Sequence, residues 1–304
     1  MTETVAAVVV TYNRKKLLCE CLDALLAQTR PVDKIILIDN ASTDGTPDLL
    51  IERGYLSNLL LDYVRLPENT GGAGGFHEGV KKGYEQGYDW LWLMDDDTVV
   101  LPDSLQYLLH SSTLIDKPIG FICSKVKWID GSVHLMNVPE IISITHGIPF
   151  NSMESTGFLF VESCSFVSTL VCRSAIKSSG LPIKEMFIWG DDSEFFSRIT
   201  SCGFVGLYSS SSAVIHKTNE NYSSNLFKDT QANFWKHRYG IRNNLYLVKS
   251  KHGTLRYLVN VLFRITLYNS LIVKNRKDST LDAVLVNTRA TLSSLFFNPK
   301  IDLV

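Results

Sequence analysis

Long apolar runs are missing from this 304-residue chain. No stretch of about 18 or more uncharged apolar residues occurs, which argues against a membrane-spanning helix. The apolar opening, Val5 to Val10, is too short for a secretory h-region and follows Glu3 instead of a basic segment, so no signal peptide is expected. The six cysteines (Cys19, Cys21, Cys123, Cys164, Cys172, Cys202) contain no C-x-x-C pair and mostly sit in apolar runs, where buried free thiols are expected. With no secretory signal, that usage reads as a reducing compartment. Strong net charge is absent too: the formal value is -1, with 45% apolar residues, enough for a real core and contrary to global disorder. No internal repeat or low-complexity segment stands out beyond Ser209–Ser212.

What charge there is lies unevenly. From Lys236 onward there are twelve Lys and Arg, opposed only by Asp278, Asp282 and Asp302. Such a basic appendage suits an anionic partner, whether membrane surface or nucleic acid. The length fits one large α/β domain, residues 1–220, followed by a C-terminal basic amphipathic helical region, residues 221–304.

Three consecutive aspartates, Asp95-Asp96-Asp97, close the apolar run Trp90–Met94 and carry the most chemistry in the chain. On a strand, alternate side chains share a face, so Asp95 and Asp97 are expected together and Asp96 turned away. Two carboxylates on one face repel unless a cation neutralises them, and a hard divalent ion with oxygen ligands does so. The alternative is a solvated acidic turn, or Asp97 capping a helix that starts near Pro102 or Asp103.

Strand and helix patterns alternate ahead of the triplet. Val5–Thr11, Lys34–Asp39, Asp62–Leu66 and Trp90–Met94 read as strands, with helices near Lys15–Gln28, Pro47–Arg53 and Phe76–Gln86. Apolar strands alternating with helices predict a doubly wound, mostly parallel sheet that binds ligands at its carboxyl ends. Asp39, Asn69 and the triplet fall at such ends. Beyond Pro102, Gly120–Trp128, Phe158–Val161, Ser165–Cys172 and Phe204–Ile215 read as strands, Ser193–Cys202 as a helix, and the chain from about Phe234 as helical.

The run Asn69-Thr70-Gly71-Gly72-Ala73-Gly74-Gly75-Phe76 reads as a loop. Its glycines would let backbone approach a ligand, and the next helix offers free N–H groups to phosphate. It fails G-x-G-x-x-G and lacks a P-loop lysine, which disfavours a dinucleotide site; a plain connecting turn is the other reading. A second acidic cluster, Trp189-Gly190-Asp191-Asp192-Ser193-Glu194, precedes a helix. First-turn carboxylates are favoured by the helix dipole, yet an aromatic flank also desolvates a carboxylate in the manner of a general base. His216 ends an apolar strand, either as a structural residue or as a third metal ligand.

Together these residues resemble the inverting glycosyltransferases of family 2, with the GT-A fold, over about Val5 to His216. Val8–Arg14 looks like the family's opening strand, Ile38–Thr46 its second nucleotide segment, and Asn69–Phe76 the loop after the third strand. Asp95-Asp96-Asp97 matches the D-x-D motif, and Asp191-Asp192 the acidic pair that houses the base. Within the family the chain is similar to bacterial galactofuranosyltransferases, which share Gly-Gly-x-Gly-Gly-Phe, a triple aspartate, a Trp-x-Asp-Asp-like segment and a downstream histidine. Gly190, between the tryptophan and the acidic pair, departs from their pattern. The chain also lacks the long extensions of polymerising members.

The resemblance implies a mechanism. Asp39 would recognise the uracil, and Thr11 with Arg14 the nucleotide edge. Tyr12, Asn13, Asn69, Gly74, Gly75, Asp95 and Asp96 complete the donor side. Asp95, Asp97 and His216 would hold Mn²⁺ or Mg²⁺. Asp192, beside Asp191, would be the base, with Trp189 and Glu194 at the acceptor. The implied donor is UDP-galactofuranose, with dTDP-rhamnose the runner-up, and the acceptor a polyprenyl-linked glycan of O-antigen or capsule assembly. Leu255–Val273 is strongly apolar but carries Arg256 and Arg264, so it is expected to lie in the interface with those arginines at the headgroups. Lys274, Arg276 and Lys277 would add attraction to anionic lipid. The protein is thus expected in the cytoplasm, peripheral on the inner membrane face, with no nucleic-acid partner and homo-oligomerisation left open. A sugar nucleotidyltransferase would need a basic glycine loop after the first strand, which Thr11-Tyr12-Asn13-Arg14 does not supply. A non-catalytic glycan- or lipid-binding protein would have no need of a second acidic pair.

Overall fold

A computed structural model describes residues 3–110, 115 and 117–304. The chain forms two compact units. One comprises the chain up to Lys184 with Asp192–Tyr222 and Ile301–Val304; the other comprises Glu185–Asp191 and Ser223–Lys300.

The first unit is built on β1 (Val5–Thr11), β2 (Lys34–Asp39), β3 (Leu61–Arg65) and β4 (Trp90–Asp95), parallel in the order β3-β2-β1-β4. Between them run α1 (Lys15–Leu26), α2 (Thr46–Glu52) and α3 (Gly71–Glu85). Strand alternation divides β1 between two cores. Val5, Ala7 and Val9 meet Leu18, Leu22 and Leu25 of α1, while Ala6, Val8 and Val10 meet Phe76 and Val80 of α3. A strand buried on both faces must be apolar throughout, which is why β1 and β2 read as continuous runs. This is the α/β, doubly wound architecture expected.

Past β4 the sheet becomes mixed. The elements that follow are β5 (Thr98–Val100), α4 (Ser104–His110), β6 (Ile119–Lys127), β7 (Glu140–Ile141), the separate two-stranded hairpin β8 (Ile144–Thr145)/β9 (Ile148–Pro149), β10 (Phe158–Ser163), β11 (Thr169–Cys172), α5 (Arg173–Ser179), α6 (Asp191–Ser201) and β12 (Val205–His216). The order continues β4-β11-β6-β12-β10-β7, with β11 antiparallel to both neighbours, β12 parallel to β6, and β5 pairing the end of β12. All six cysteines are free, four of them buried.

The glycine run corrects one expectation. It is not a loop ahead of a helix at Phe76, because α3 already begins at Gly71. A Cβ on Gly75, Gly79 or Gly83 would lie 2.4, 2.3 or 2.5 Å from Val10, Val8 or Leu91. Glycines four apart line one helix face, and here that face lies flush on the sheet.

The second unit is helical: α7 (Phe234–Phe263), a π-helical turn Arg264–Tyr268, α8 (Asn269–Asn275) and α9 (Thr280–Ser293). Gly253, at φ 82°, breaks α7. Leu226, Phe234, Ile241, Leu245, Tyr257, Val261, Ile272, Ala283 and Ala290 make its core. Two arginines of the basic region turn inward. Arg276 is buried and donates to the carbonyls of Leu226 and Asp229, and Arg264 donates to Asn287 Oδ1. Unpaired carbonyls at the turns need donors, and guanidinium supplies several in one plane.

Candidate active site

Strand register sets the site. Thr11 lies opposite Asp39, Val10 opposite Asp95 and Asp39 opposite Arg65, so these residues share the carboxyl ends of adjacent parallel strands. The triplet itself is not one strand face: β4 ends at Asp95, and Asp96-Asp97 turn into β5. Asp96 goes its own way, buried and accepting from Thr11 Oγ1 at 2.7 Å and from the Tyr12 N–H at 3.3 Å. Arg14 ties the turn together, with Nη1 3.2 Å from Asp96 Oδ1 and 2.5 Å from Asp97 Oδ2.

His216 arrives through the sheet. β12 and β5 pair so that His216 faces Thr98, and the Lys217 N–H donates to the Asp97 carbonyl. His216 Nε2 then stands 3.0 Å from Asp97 Oδ1. One ligand atom from each of Asp95, Asp97 and His216 lies within 4.8 Å of the others. Burial and Asp97 push the Asp95 carboxyl up to about 6, with Asp192 near enough to push the same way. Burial, offset in part by Arg14, pushes Asp96 up to about 7. Asp97 is held low despite burial because His216 and Arg14 face it; the same carboxylates hold His216 up.

These residues fit a divalent cation. Asp97 Oδ1 is buried yet has no hydrogen-bond partner with acceptable geometry. An oxygen in that state, beside a second crowded carboxylate and an imidazole nitrogen, forms a mixed oxygen–nitrogen donor set suited to Mn²⁺ as well as Mg²⁺.

The expected donor-side residues are less open than their sequence suggests. Asp39 is fully buried, with Oδ1 accepting from the Ser42 N–H and Oδ2 from Tyr63 Oη at 2.7 Å. Thr11 is spent on Asp96. Asn13, in the left-handed region at φ 55°, accepts from the Thr43 N–H and so staples β1 to the segment after β2. Asn69 is exposed and accepts from the Gly71 N–H at the start of α3. A Cβ on Gly74 would strike Thr70, so Gly74, like Gly75, serves close packing. Tyr12 is exposed.

The second acidic cluster follows a strained segment. Phe187 (φ 66°), Trp189 (φ 64°) and Gly190 (φ 87°) are all left-handed, at roughly 1–2 kcal/mol for each non-glycine. Asn243, fully buried on α7, donates from one Nδ2 to the carbonyls of Met186, Ile188 and Trp189 and holds the segment there. The Trp189 ring packs edge-on to His237 at 5.0 Å. Asp191 begins α6, and burial raises the Asp192 carboxyl, as a general base requires. Glu194 is not open: both its oxygens meet Arg198 at 2.8 and 2.9 Å, and Arg198 also reaches the Ser179 and Leu181 carbonyls. Asn243 and Asn137, which contacts His216, carry no sequence signal, because their partners are far along the chain.

Residues 6–168 match the family model described as glycosyl transferase family 2. The chain is 30% identical to galactofuranosyltransferase GlfT1 of Mycolicibacterium smegmatis over 208 residues, covering 66% of this chain and 67% of that protein. With GlfT1 of Mycobacterium tuberculosis H37Rv it shares 43% identity over 97 residues, 32% of this chain and 31% of the relative. The crystal structure of GalNAc-T7 with UDP, GalNAc and Mn²⁺ superposes with a TM-score of 0.62 at 16% identity, covering 99% of this chain and 55% of that one.

Proposed function

Starting from glycosyl transferase family 2, to which this chain belongs, we propose that it transfers galactofuranose from UDP-galactofuranose to a polyprenyl-linked glycan. The observation that carries the reading is the meeting of Asp95, Asp97 and His216 within 4.8 Å, on the same unit as Asp192.

In this reading Asp95, Asp97 and His216 would hold the cation, while His216 and Arg14 keep Asp97 low and Arg14 only partly offsets the burial of Asp96. A cation bound there supplies positive charge to the departing nucleoside diphosphate. Asp192 takes the proton from the acceptor hydroxyl as that oxygen attacks the anomeric carbon, inverting it in one displacement. Trp189 offers its ring to the acceptor sugar, while Glu194 is left to Arg198. Asp39 acts on the uracil side through a carboxylate pre-set by Ser42 and Tyr63.

The second unit supports delivery at an anionic membrane surface on the cytoplasmic side. Among the described residues no helix is long and apolar enough to cross a membrane. Leu255, Val259, Leu262, Leu267 and Val273 are nevertheless exposed, with Lys251, Arg256, Lys274 and Lys277 exposed around them. Between Thr230 and Lys277 there is no Asp or Glu. A second copy would meet like charge there, whereas anionic lipid attracts each basic group by about 1 kcal/mol.

The test is a donor screen with purified protein and Mn²⁺, read as acceptor-dependent nucleoside diphosphate release. Turnover with UDP-galactofuranose is expected. Turnover with dTDP-rhamnose alone would replace the donor, and release without transfer would remove the transferase reading.

A further inference from the structure

A neutral imidazole binds a metal only through the ring nitrogen that carries a lone pair, and the partner of the other nitrogen decides which one that is. His216 Nδ1 lies 2.8 Å from Asn137 Oδ1. The Asn137 amide is itself fixed, its Nδ2 donating to Ser165 Oγ at 2.8 Å. With Oδ1 turned to the imidazole, a hydrogen belongs on Nδ1; Nε2, 3.0 Å from Asp97 Oδ1, is then the nitrogen left to face a cation shared with that carboxylate. The same short turn places a second ring. His134, fully buried, packs against His216 with centroids 4.5 Å apart and ring planes tilted by 35°, and is anchored through Nε2 to Thr218 Oγ1 at 2.8 Å. The Asn137 N–H in turn bonds to the His134 carbonyl. One four-residue segment therefore supplies both the amide that selects the tautomer and the ring that stops His216 from tilting.

We infer that Asn137 is a positioning residue that holds His216 with its hydrogen on Nδ1, presents Nε2 to a cation shared with Asp95 and Asp97, and thereby sets divalent-cation affinity. This rests on the cation site proposed above, and the test separates the two. Mn²⁺ binding is measured on the full chain with UDP, by the electron paramagnetic resonance signal of free Mn²⁺, for the wild type, Asn137→Leu, Asn137→Asp and His216→Ala. Outer-shell partners of metal-bound histidines are worth about 10–100-fold in affinity. Asn137→Leu is expected to lose that much, and Asn137→Asp, which keeps the acceptor oxygen, to stay within a few-fold of wild type. A two-bond ¹H–¹⁵N spectrum of the wild type loaded with Mg²⁺ and UDP is expected to show the His216 hydrogen on Nδ1; this needs no folded variant. Wild-type affinity in Asn137→Leu beside a loss in His216→Ala, or a hydrogen on Nε2, overturns the role of Asn137 alone. Mn²⁺ affinity indifferent to His216→Ala overturns the cation site itself.

Discussion

The contact between α3 and the sheet makes Gly75→Ala a sharp perturbation. The new Cβ would stand 2.4 Å from Val10 Cγ1 and 3.2 Å from Cγ2, where ordinary contact begins near 3.4 Å. Valine on a strand has little rotamer freedom with which to yield, so α3 must lift or β1 must bow. Overpacking of this kind costs about 1–3 kcal/mol, and the alanine returns up to about 1 kcal/mol of helix propensity. The expected net is a loss of about 1–2 kcal/mol. Val10→Ala alone also destabilises by leaving a cavity. Combined, the two should cost less than their sum, because the smaller residue makes room for the methyl; such coupling in touching pairs runs to about 0.5–3 kcal/mol. The assay is urea unfolding of all four proteins followed by tryptophan fluorescence, with UDP affinity in parallel. A neutral or stabilised Gly75→Ala, or strict additivity with Val10→Ala, would refute the packing role. A selective loss of UDP binding at unchanged stability would return Gly75 to the donor side.

Five further outcomes are expected. Asp192→Asn should keep Mn²⁺ and UDP binding but lose transfer by about a hundredfold or more; activity in that variant with a dead Asp191→Asn would move the base by one position. Because burial raises the Asp192 carboxyl and the base must be ionised, wild-type transfer should fall on acidification at a pH above the ordinary aspartate range of about 4; an acid limb at or below that range would contradict it. Asp97→Ala should abolish turnover, as should excess EDTA, and full activity in either case removes the metal. Asn243→Ala leaves three carbonyls without their donor and should loosen the Trp189 segment, seen as faster amide hydrogen exchange at residues 187–190; unchanged exchange there would mean that the clamp does not hold it. Liposome flotation at low salt should retain the full chain on anionic vesicles, and protein that stays in solution would leave the helices of the second unit a packing role only.

The strands around the site were legible because burial on both faces leaves no choice of residue type, and β1 and β2 have the bounds their apolar runs suggest. What failed did so where tertiary contact overrode local habit. Glycine usually marks a turn, yet the run at Gly71 opens a helix because only glycine fits against Val10 and Val8. The strand expected from Ser165 begins at Thr169, since Ser168 is left-handed at φ 55° and Thr169 Oγ1 bonds back to the Ser165 carbonyl. Glu194 sat in a suggestive cluster, but a partner one helical turn away, Arg198, had first claim on it. The amides of Asn137 and Asn243 act across 79 and 54 residues of chain, where no periodicity can announce them.

The pairing of β12 with β5 also carries a consequence for how the protein comes into being. The carboxylates of the trio emerge with the early parallel strands, while the imidazole waits for the last strand of the sheet to dock. Closing so large a loop must precede any reward from the contact, which makes it a slow step. A nascent or clipped chain ending at residue 168, where the family match stops, would carry the whole aspartate triplet and no His216. In this chain, then, competence to bind a cation would double as a report that the chain has been made through β12 and that the sheet has closed. A cation at a hundredfold over its dissociation constant would add about 2.7 kcal/mol to the finished fold and far less to any intermediate lacking β12.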